Sequence, residues 1–464
     1  MVRPPRIIAA IALSAVSQPA RADEPVGERE PPLMRQAAEI TMVASAFDKN
    51  DPFDVNVIVG FTESWQRAGI RRETPAAQGS AILGTEDIAT YSSTKSGLLA
   101  GADIGLYHDL ALLLRVPIIL SWSQRLDDLD GSAAAAPQRL ADPSGGQLFT
   151  VPFNSPTRSG VDYVSAGLDW AIFDQERDST KPTWVIGVEG RLAVGPPLHA
   201  CNANANPQCP DPSNPSVARG PGISRGMDGL VAKTIWSRRV GYVEPYTGLS
   251  VLAEFPQASS EYAKWNPPED LQRIPPVVGS VALGLEVVPY EQRESFQKVS
   301  ADFRVKAAYH SPGRDYSELF DALGSSEAAS LRTPNPAAYM AGPNNTSVPN
   351  DNDQVYFSGI TEQQAFGSVT VSASATWQAG EYIKFTLGSA LSYEQSHLVT
   401  AADPCTPNGN TNAALAGPCV NPQTETPLGV PNPDHRDTID SPGHRFYVDD
   451  AAVVDVWAMG IVMF

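Results

Sequence analysis

The stretch Gly443-His444-Arg445-Phe446-Tyr447-Val448-Asp449-Asp450-Ala451-Ala452-Val453-Val454-Asp455-Val456-Trp457-Ala458-Met459-Gly460-Ile461-Val462-Met463-Phe464 decides the fold. After Gly443 no turn residue interrupts it except the small Gly460. One alternate set, Ala452, Val454, Val456, Ala458, Gly460, Val462 and Phe464, is apolar or glycine. The other set carries Asp449, Asp455 and Trp457. Alternation at period two marks a strand with two unlike faces. One face suits lipid and the other tolerates charge.

The rest of the chain repeats that pattern. Strand-like runs cover 53–65, 90–107, 110–125, 161–173, 183–194, 226–236, 242–255, 277–290, 296–310, 365–377 and 382–396, with the terminal run after Gly443 as the twelfth. Short polar turns alternate with long polar loops. The turns fall at His108-Asp109, 174–181, Arg238-Arg239, 291–294 and Ala379-Gly380. Faces are clearest in the ninth run. There Val299, Ala301, Phe303, Val305, Ala307 and Tyr309 oppose Lys298, Ser300, Asp302, Arg304 and Lys306. In the third run the even positions from Leu110 to Trp122 are apolar, opposite Arg115 and Ser121. Most runs reach the roughly 9–11 residues with which a tilted strand crosses a bilayer. Aromatic residues gather beside the short turns (Tyr107, Phe173, Trp184, Trp236, Tyr242, Tyr290, Phe296, Trp377, Tyr382, Phe464). A second group, Trp65, Tyr91, Trp122, Tyr163, Phe255, Tyr309 and Tyr393, falls toward the other ends, as two interfacial girdles require.

This combination resembles Gram-negative outer-membrane β-barrels. The resemblance implies an all-β fold, an antiparallel transmembrane barrel of about twelve strands with short periplasmic turns and long extracellular loops. It further implies a place in the cell outer membrane, contact with its lipid, and reading of the terminal Phe by the barrel-insertion machinery. Bulk properties agree. The chain has 464 residues and a formal net charge of −19. Such acidity argues against nucleic acid, whose phosphates demand a basic face. The chain past residue 22 holds no run of 18 apolar residues, which excludes a helical membrane protein. Arg3 and Arg6, an apolar core from Ile7 to Val16, and Ala20-Arg21-Ala22 form an export signal over 1–22. The core is too short for a membrane anchor. Residues 23–51 are expected to form a periplasmic N-terminal segment with a short helix, or an added strand near Ile40–Phe47. The barrel follows over 52–464.

Alternation directs Asp103, Arg115, Asp169, Glu189, Arg191, Lys233, Glu244, Glu286, Lys298, Asp302, Arg304, Lys306, Lys384 and Asp455 into the lumen. With both signs present, they either select solutes in a polar channel or pair into a ladder that fills a narrow barrel and conducts nothing. The segment 315–331 reads as one or two short helices, either turned into the mouth as a plug or lying on the surface. Cys201 with Cys209, and Cys405 with Cys419, suggest two local disulfides in outer loops. A metal site made of cysteines alone is the alternative, and the spacing fits no standard zinc pattern. Asp434, His435, Asp437 and Asp440 match no calcium loop and read as solvated acids. No metal and no cofactor are expected. His310, His397 and His444 fall near outer strand ends, and a Ser or Asp within hydrogen-bond reach of one of them would favour a barrel enzyme. No catalytic residues follow from the sequence, so an enzyme is not expected. The leading expectation is a channel or uptake pore for small polar or ionic solutes. A closed barrel that displays disulfide-braced loops for structural or surface interaction is the alternative.

Overall fold

The computed structural model describes residues 39–47, 53–74, 84–129, 140–142, 146–175, 177–264, 275–333, 355–407, 429–432 and 434–464. Twelve antiparallel strands form a closed barrel. They are β1 (Val55–Thr74), β2 (Gly84–Tyr107), β3 (Leu110–Asp127), β4 (Tyr163–Phe173), β5 (Thr183–Ala193), β6 (Met227–Ser237), β7 (Val243–Pro256), β8 (Val278–Gln292), β9 (Gln297–His310), β10 (Phe366–Gly380), β11 (Ile383–Glu394) and β12 (Phe446–Met463). Each pairs with its sequence neighbours. Pairing of β1 with β12, from Asn56↔Met463 to Arg72↔Phe446, closes the wall.

The outward face is apolar. Phe61, Leu98, Leu114, Leu168, Leu230, Leu249, Leu283, Phe303, Val371, Leu387 and Val454 all stand exposed on it. In water such a surface would be untenable, whereas in a bilayer it is the solvated face. Tyr107, Tyr242, Tyr290, Trp377, Tyr382 and Phe464 stand exposed at the short-turn end, and Trp65, Phe255, Tyr309 and Tyr393 toward the other. The protein is therefore a transmembrane β-barrel of the outer-membrane type.

Two expectations need correction. The first run extends past Trp65 to Thr74, and the second begins at Gly84. Beyond the bilayer both faces of a strand tolerate polar residues, so polarity does not mark its end. Hence 75–83, between β1 and β2, is no longer than the inner turn 174–182, and short and long connections do not alternate without exception. Second, Tyr91, Trp122 and Tyr163 do not belong to the outer girdle. The ladder from β3 slips between Ile119 and Trp122. A bulge reverses the face of every later residue. Trp122 therefore turns inward and donates Nε1–H to Ser93 Oγ at 3.1 Å. Tyr91 is 3 % exposed, and Tyr163 lies beneath the Arg191 guanidinium, 5.4 Å from its ring centre.

The extracellular mouth is capped by its own loops. Beyond β9, Gly313–Asp315 pairs with Thr361–Gln363. Between them lie the short helices α1 (Phe320–Gly324) and α2 (Ala329–Arg332). The 315–331 segment turns inward: Leu319, Ala322, Leu323 and Leu331 pack with Ile70, Ile88, Leu126, Leu148, Val399, Ile439 and Phe446. Two buried ion pairs bind the loops together, Arg158–Asp321 at 2.7 Å and Arg314–Asp434 at 2.8 Å. Breaking such a pair from one side costs about 3–5 kcal/mol, because a charge is left buried alone. The Cys201–Cys209 disulfide lies beside this cap, and the Cys201 N–H donates to Asp321. Cys419 lies outside the described residues, as do the proposed signal segment and residues up to 38.

Two outcomes follow. Phe303→Arg should destabilise the barrel by about 2–4 kcal/mol, the cost of a cation on the lipid face near mid-membrane. Phe303→Leu should be nearly neutral, both read by denaturant unfolding in liposomes. The cap should also respond to pH. Burial, with the Glu394 charge nearby, pushes the Glu318 carboxyl up to about 7, and burial raises Asp440 to about 6. Folded Glu318 thus keeps its proton where an unfolded carboxyl, at 4.5, has lost it. The cap should lose stability as pH rises from 4.5 through about 7. Hydrogen exchange over 315–331, corrected for intrinsic rates, should show faster opening at pH 8 than at pH 5.5, with the difference reduced by Glu318→Gln.

Candidate functional site

The candidate site is the barrel lumen, whose lining comes from the inward half of each strand's alternation. Counted upward from the short turns, the charges form layers. The lowest holds Glu244, Lys298 and Lys384 and is joined by Glu286, which faces Asp302 in the β8–β9 ladder and reaches down to Lys298. Above it lie Asp103, Arg115, Asp169, Lys233 and Asp302, and above those Glu189, Arg191, Arg304, Lys306 and Asp455.

Pairing is extensive. Arg115 meets Asp103 at 2.6 Å and also donates to the Ala102 and Leu114 carbonyls. Lys233 reaches Asp169 across β5 at 2.7 Å. Arg191 bonds Glu189 at 3.0 Å. Arg304 lies 3.2 Å from Asp302 and donates to Tyr246 Oη at 2.9 Å, while the Tyr246 hydroxyl donates to Asp302. Tyr246 can lie flat on the wall because Gly284 is beneath it: a Cβ there would fall 2.1 Å from the ring. Gly388 makes the same allowance for Trp457. Glu244 is buried opposite Glu286 in the β7–β8 ladder. Asp455 stands beside Ser64 and Ala390. Lys306 stands beside Ala282 and Thr370 and is exposed to the lumen.

The lowest layer is organised by a residue that strand alternation could not supply. From Glu39, the first described residue, a strap runs within the periplasmic end of the barrel. Of the segment read as a short helix, residues up to 38 lie outside the described residues; the described part has a 3-10 turn, Glu39–Thr41, and continues without helix to Ala46, where one bridge ties it to Phe53. Val43 and Ala44 pack on Ala111, Ala171 and Val185. Thr41 Oγ1 is 3.1 Å from Ser237 Oγ. Gly105 leaves room for the Ser45 backbone, which a Cβ would strike. Across the lumen, Lys384 donates to Glu39 Oε2 at 2.6 Å, and Lys298 Nζ lies 3.9 Å from Glu39 and 3.6 Å from Glu286. The Glu39 N–H donates to Glu286 at 2.7 Å. Burial pushes the Glu39 carboxyl up, but Lys384 and Lys298 outweigh it and hold it below the ordinary value.

The rim histidines are differently placed. His310 and His397 sandwich Phe366, with centroids 4.2 and 3.9 Å apart. Ser368 Oγ lies 3.4 Å from His310 Nε2, at the long limit for a hydrogen bond. Among the described residues no carboxylate orients that imidazole. The loop acids are committed to the fold: Asp434 pairs with Arg314, and Asp440 accepts from the Arg436 and Ala402 N–H groups. Among the described residues no cluster suited to a metal ion is present.

No protein-family model and no curated protein matches the chain. Solved structures give distant likenesses. The outer membrane protease OmpT from Escherichia coli aligns over 89% of this chain and 96% of its own at 6% identity, with a TM-score of 0.28. A Pseudomonas aeruginosa FadL homologue covers 89% of each chain at 8% identity and a TM-score of 0.29. The outer membrane channel DcaP of Acinetobacter baumannii covers 90% of this chain and all of its own (100%) at 11% identity and a TM-score of 0.21. Superpositions this slight leave the barrel to stand on its own strand pairing, and the chain is similar to these proteins in no closer sense.

Proposed function

We propose that the protein is an outer-membrane channel for small polar or ionic solutes, held shut at its periplasmic end by the strap 39–46. The observation that carries this reading is how the strap is held. It crosses the lumen on side-chain contacts, chiefly Glu39 with Lys384 and Lys298, and not as a thirteenth strand. A segment held this way can leave without unzipping the wall, whereas a barrel built only as a scaffold needs no separable segment across its bore. The lining behind it is polar, with hydroxyl pairs at Ser250–Ser280 and Thr370–Ser392 alongside the ion pairs. Insertion by the barrel-assembly machinery belongs to the same reading, as does the absence of catalysis. The Ser368–His310 approach is long, and its imidazole is positioned by ring stacking.

The apolar cap favours a second reading, a closed barrel that presents braced loops for surface interaction. Planar-bilayer recordings separate the two. The wild-type protein should open rarely, and Glu39→Lys or Lys384→Glu should raise open probability at least tenfold, since each places like charges together in the latch. Glu39 contributes its stabilisation above pH 4.5 and loses it as the pH falls through its lower folded value, so acidification on the periplasmic side should also open the wild-type channel. Silence in both variants, and in protein lacking both the strap 39–47 and the cap segment 315–331, would establish the closed barrel instead.

A further inference from the structure

We propose that the lumen carries a site for small organic anions, bearing a carboxylate or phosphate, centred on Lys306 and framed by Arg304 and Arg191. The inference rests on the channel reading and names the solute class. Most lumen cations are neutralised where they stand: Arg115 by Asp103, Lys233 by Asp169, and Lys384 by Glu39. Lys306 differs. Among the described residues no carboxylate lies within ion-pair distance of its ammonium; Arg304, two residues earlier on β9, shares its lumen face, and Arg191 is the other cation in electrostatic range.

Those two arginines are fixed in place. Arg304 is held by Asp302 and the Tyr246 hydroxyl, and Arg191 by Glu189 and the face of Tyr163. Each arginine thus has a carboxylate within ion-pair distance, Asp302 for Arg304 and Glu189 for Arg191, whereas Lys306 has none among the described residues. An ammonium facing fixed like charges is relieved by an incoming anion and not by an incoming cation. Thr370 is its neighbour on β10 and bonds Ser392 at 2.9 Å, so a hydroxyl that can also donate to a bound oxyanion stands beside it. The guanidinium forks of Arg304 and Arg191 match carboxylate and phosphate geometry. The arrangement is one of preorganised donors around an ammonium that has no carboxylate within ion-pair distance among the described residues, suited to weak, rapidly reversible binding of the kind conduction needs.

A test that does not depend on conduction uses Thr370→Cys as a lumen probe, with Ala282→Cys as a second position on the other side of Lys306. Each is treated with an anionic and a cationic methanethiosulfonate reagent, and the adduct is quantified on its own peptide by mass spectrometry. The anionic reagent should react faster. Lys306→Gln should cut the anionic-to-cationic rate ratio by about sevenfold, the effect of a unit charge ~7 Å away in a water-like dielectric. A ratio unchanged by Lys306→Gln would overturn the proposal. So would protection of both probe positions from both reagents in strap-released Glu39→Lys protein, because a lumen that stays sealed once its latch is broken takes no solute. In strap-released Glu39→Lys channels, reversal potentials in a potassium chloride gradient should shift toward cation preference on adding Lys306→Gln. Conduction without that shift refutes the anion site while leaving the channel intact. Absence of conduction refutes the channel, and the labelling ratio still decides the site.

Discussion

Inside a bilayer no water is available to satisfy a backbone N–H or carbonyl, and each one left unpaired costs several kcal/mol. A sheet can meet that condition only by having no edges. The ladder between β1 and β12, Asn56↔Met463 through Arg72↔Phe446, removes the last two, and everything else about the molecule depends on it. Closure divides the side chains into a lipid face and a lumen face with no third option. It confines the lumen charges to a narrow space in which they must pair with one another or remain wet. It also brings together at each end segments that are far apart in sequence.

The two ends are closed by different physics. At the extracellular mouth the loops bury a continuous apolar cluster and tie it with Arg158–Asp321 and Arg314–Asp434, both nearly inaccessible to solvent. Such a closure is cooperative, since opening it exposes apolar surface and strands buried charges together. At the periplasmic end the described strap buries the small side chains of Val43, Ala44 and Ala46 and is held across the lumen by Glu39 on Lys384 and Lys298. Electrostatic closure of that kind responds to pH and charge substitution, while apolar closure responds to whatever disturbs its packing. In the channel reading proposed above, that difference makes the periplasmic side the easier one to open.

Strand positions and faces were largely legible, because alternation is a local property that every few residues restate. Val299 to Tyr309 against Lys298 to Lys306 needs no knowledge of neighbours. The misplacement of Trp122 shows where this fails: one bulge, invisible in composition, exchanged the two sides of β3 beyond Ile119. The ends of β1 and β2 were missed for a related reason, since above the membrane the environment no longer distinguishes the faces. Tyr246 was within reach of sequence reasoning, two residues beyond Glu244 on the same face. Glu39 was not, because it precedes the first strand and no alternation directs it inward.

By itself, the sequence determined how many times the chain crosses, which side of the wall most residues occupy, and that the lumen would carry both signs of charge. Those are consequences of period-two patterning, readable within any ten residues. The tertiary structure alone decided which charge meets which. Glu39 reaches Lys384 across 345 positions, and Arg158 reaches Asp321 across 163. It therefore also decided that Lys306 would be left facing two arginines. Such pairings depend on barrel closure, register and loop packing, which set distances between residues whose local sequences carry no trace of one another.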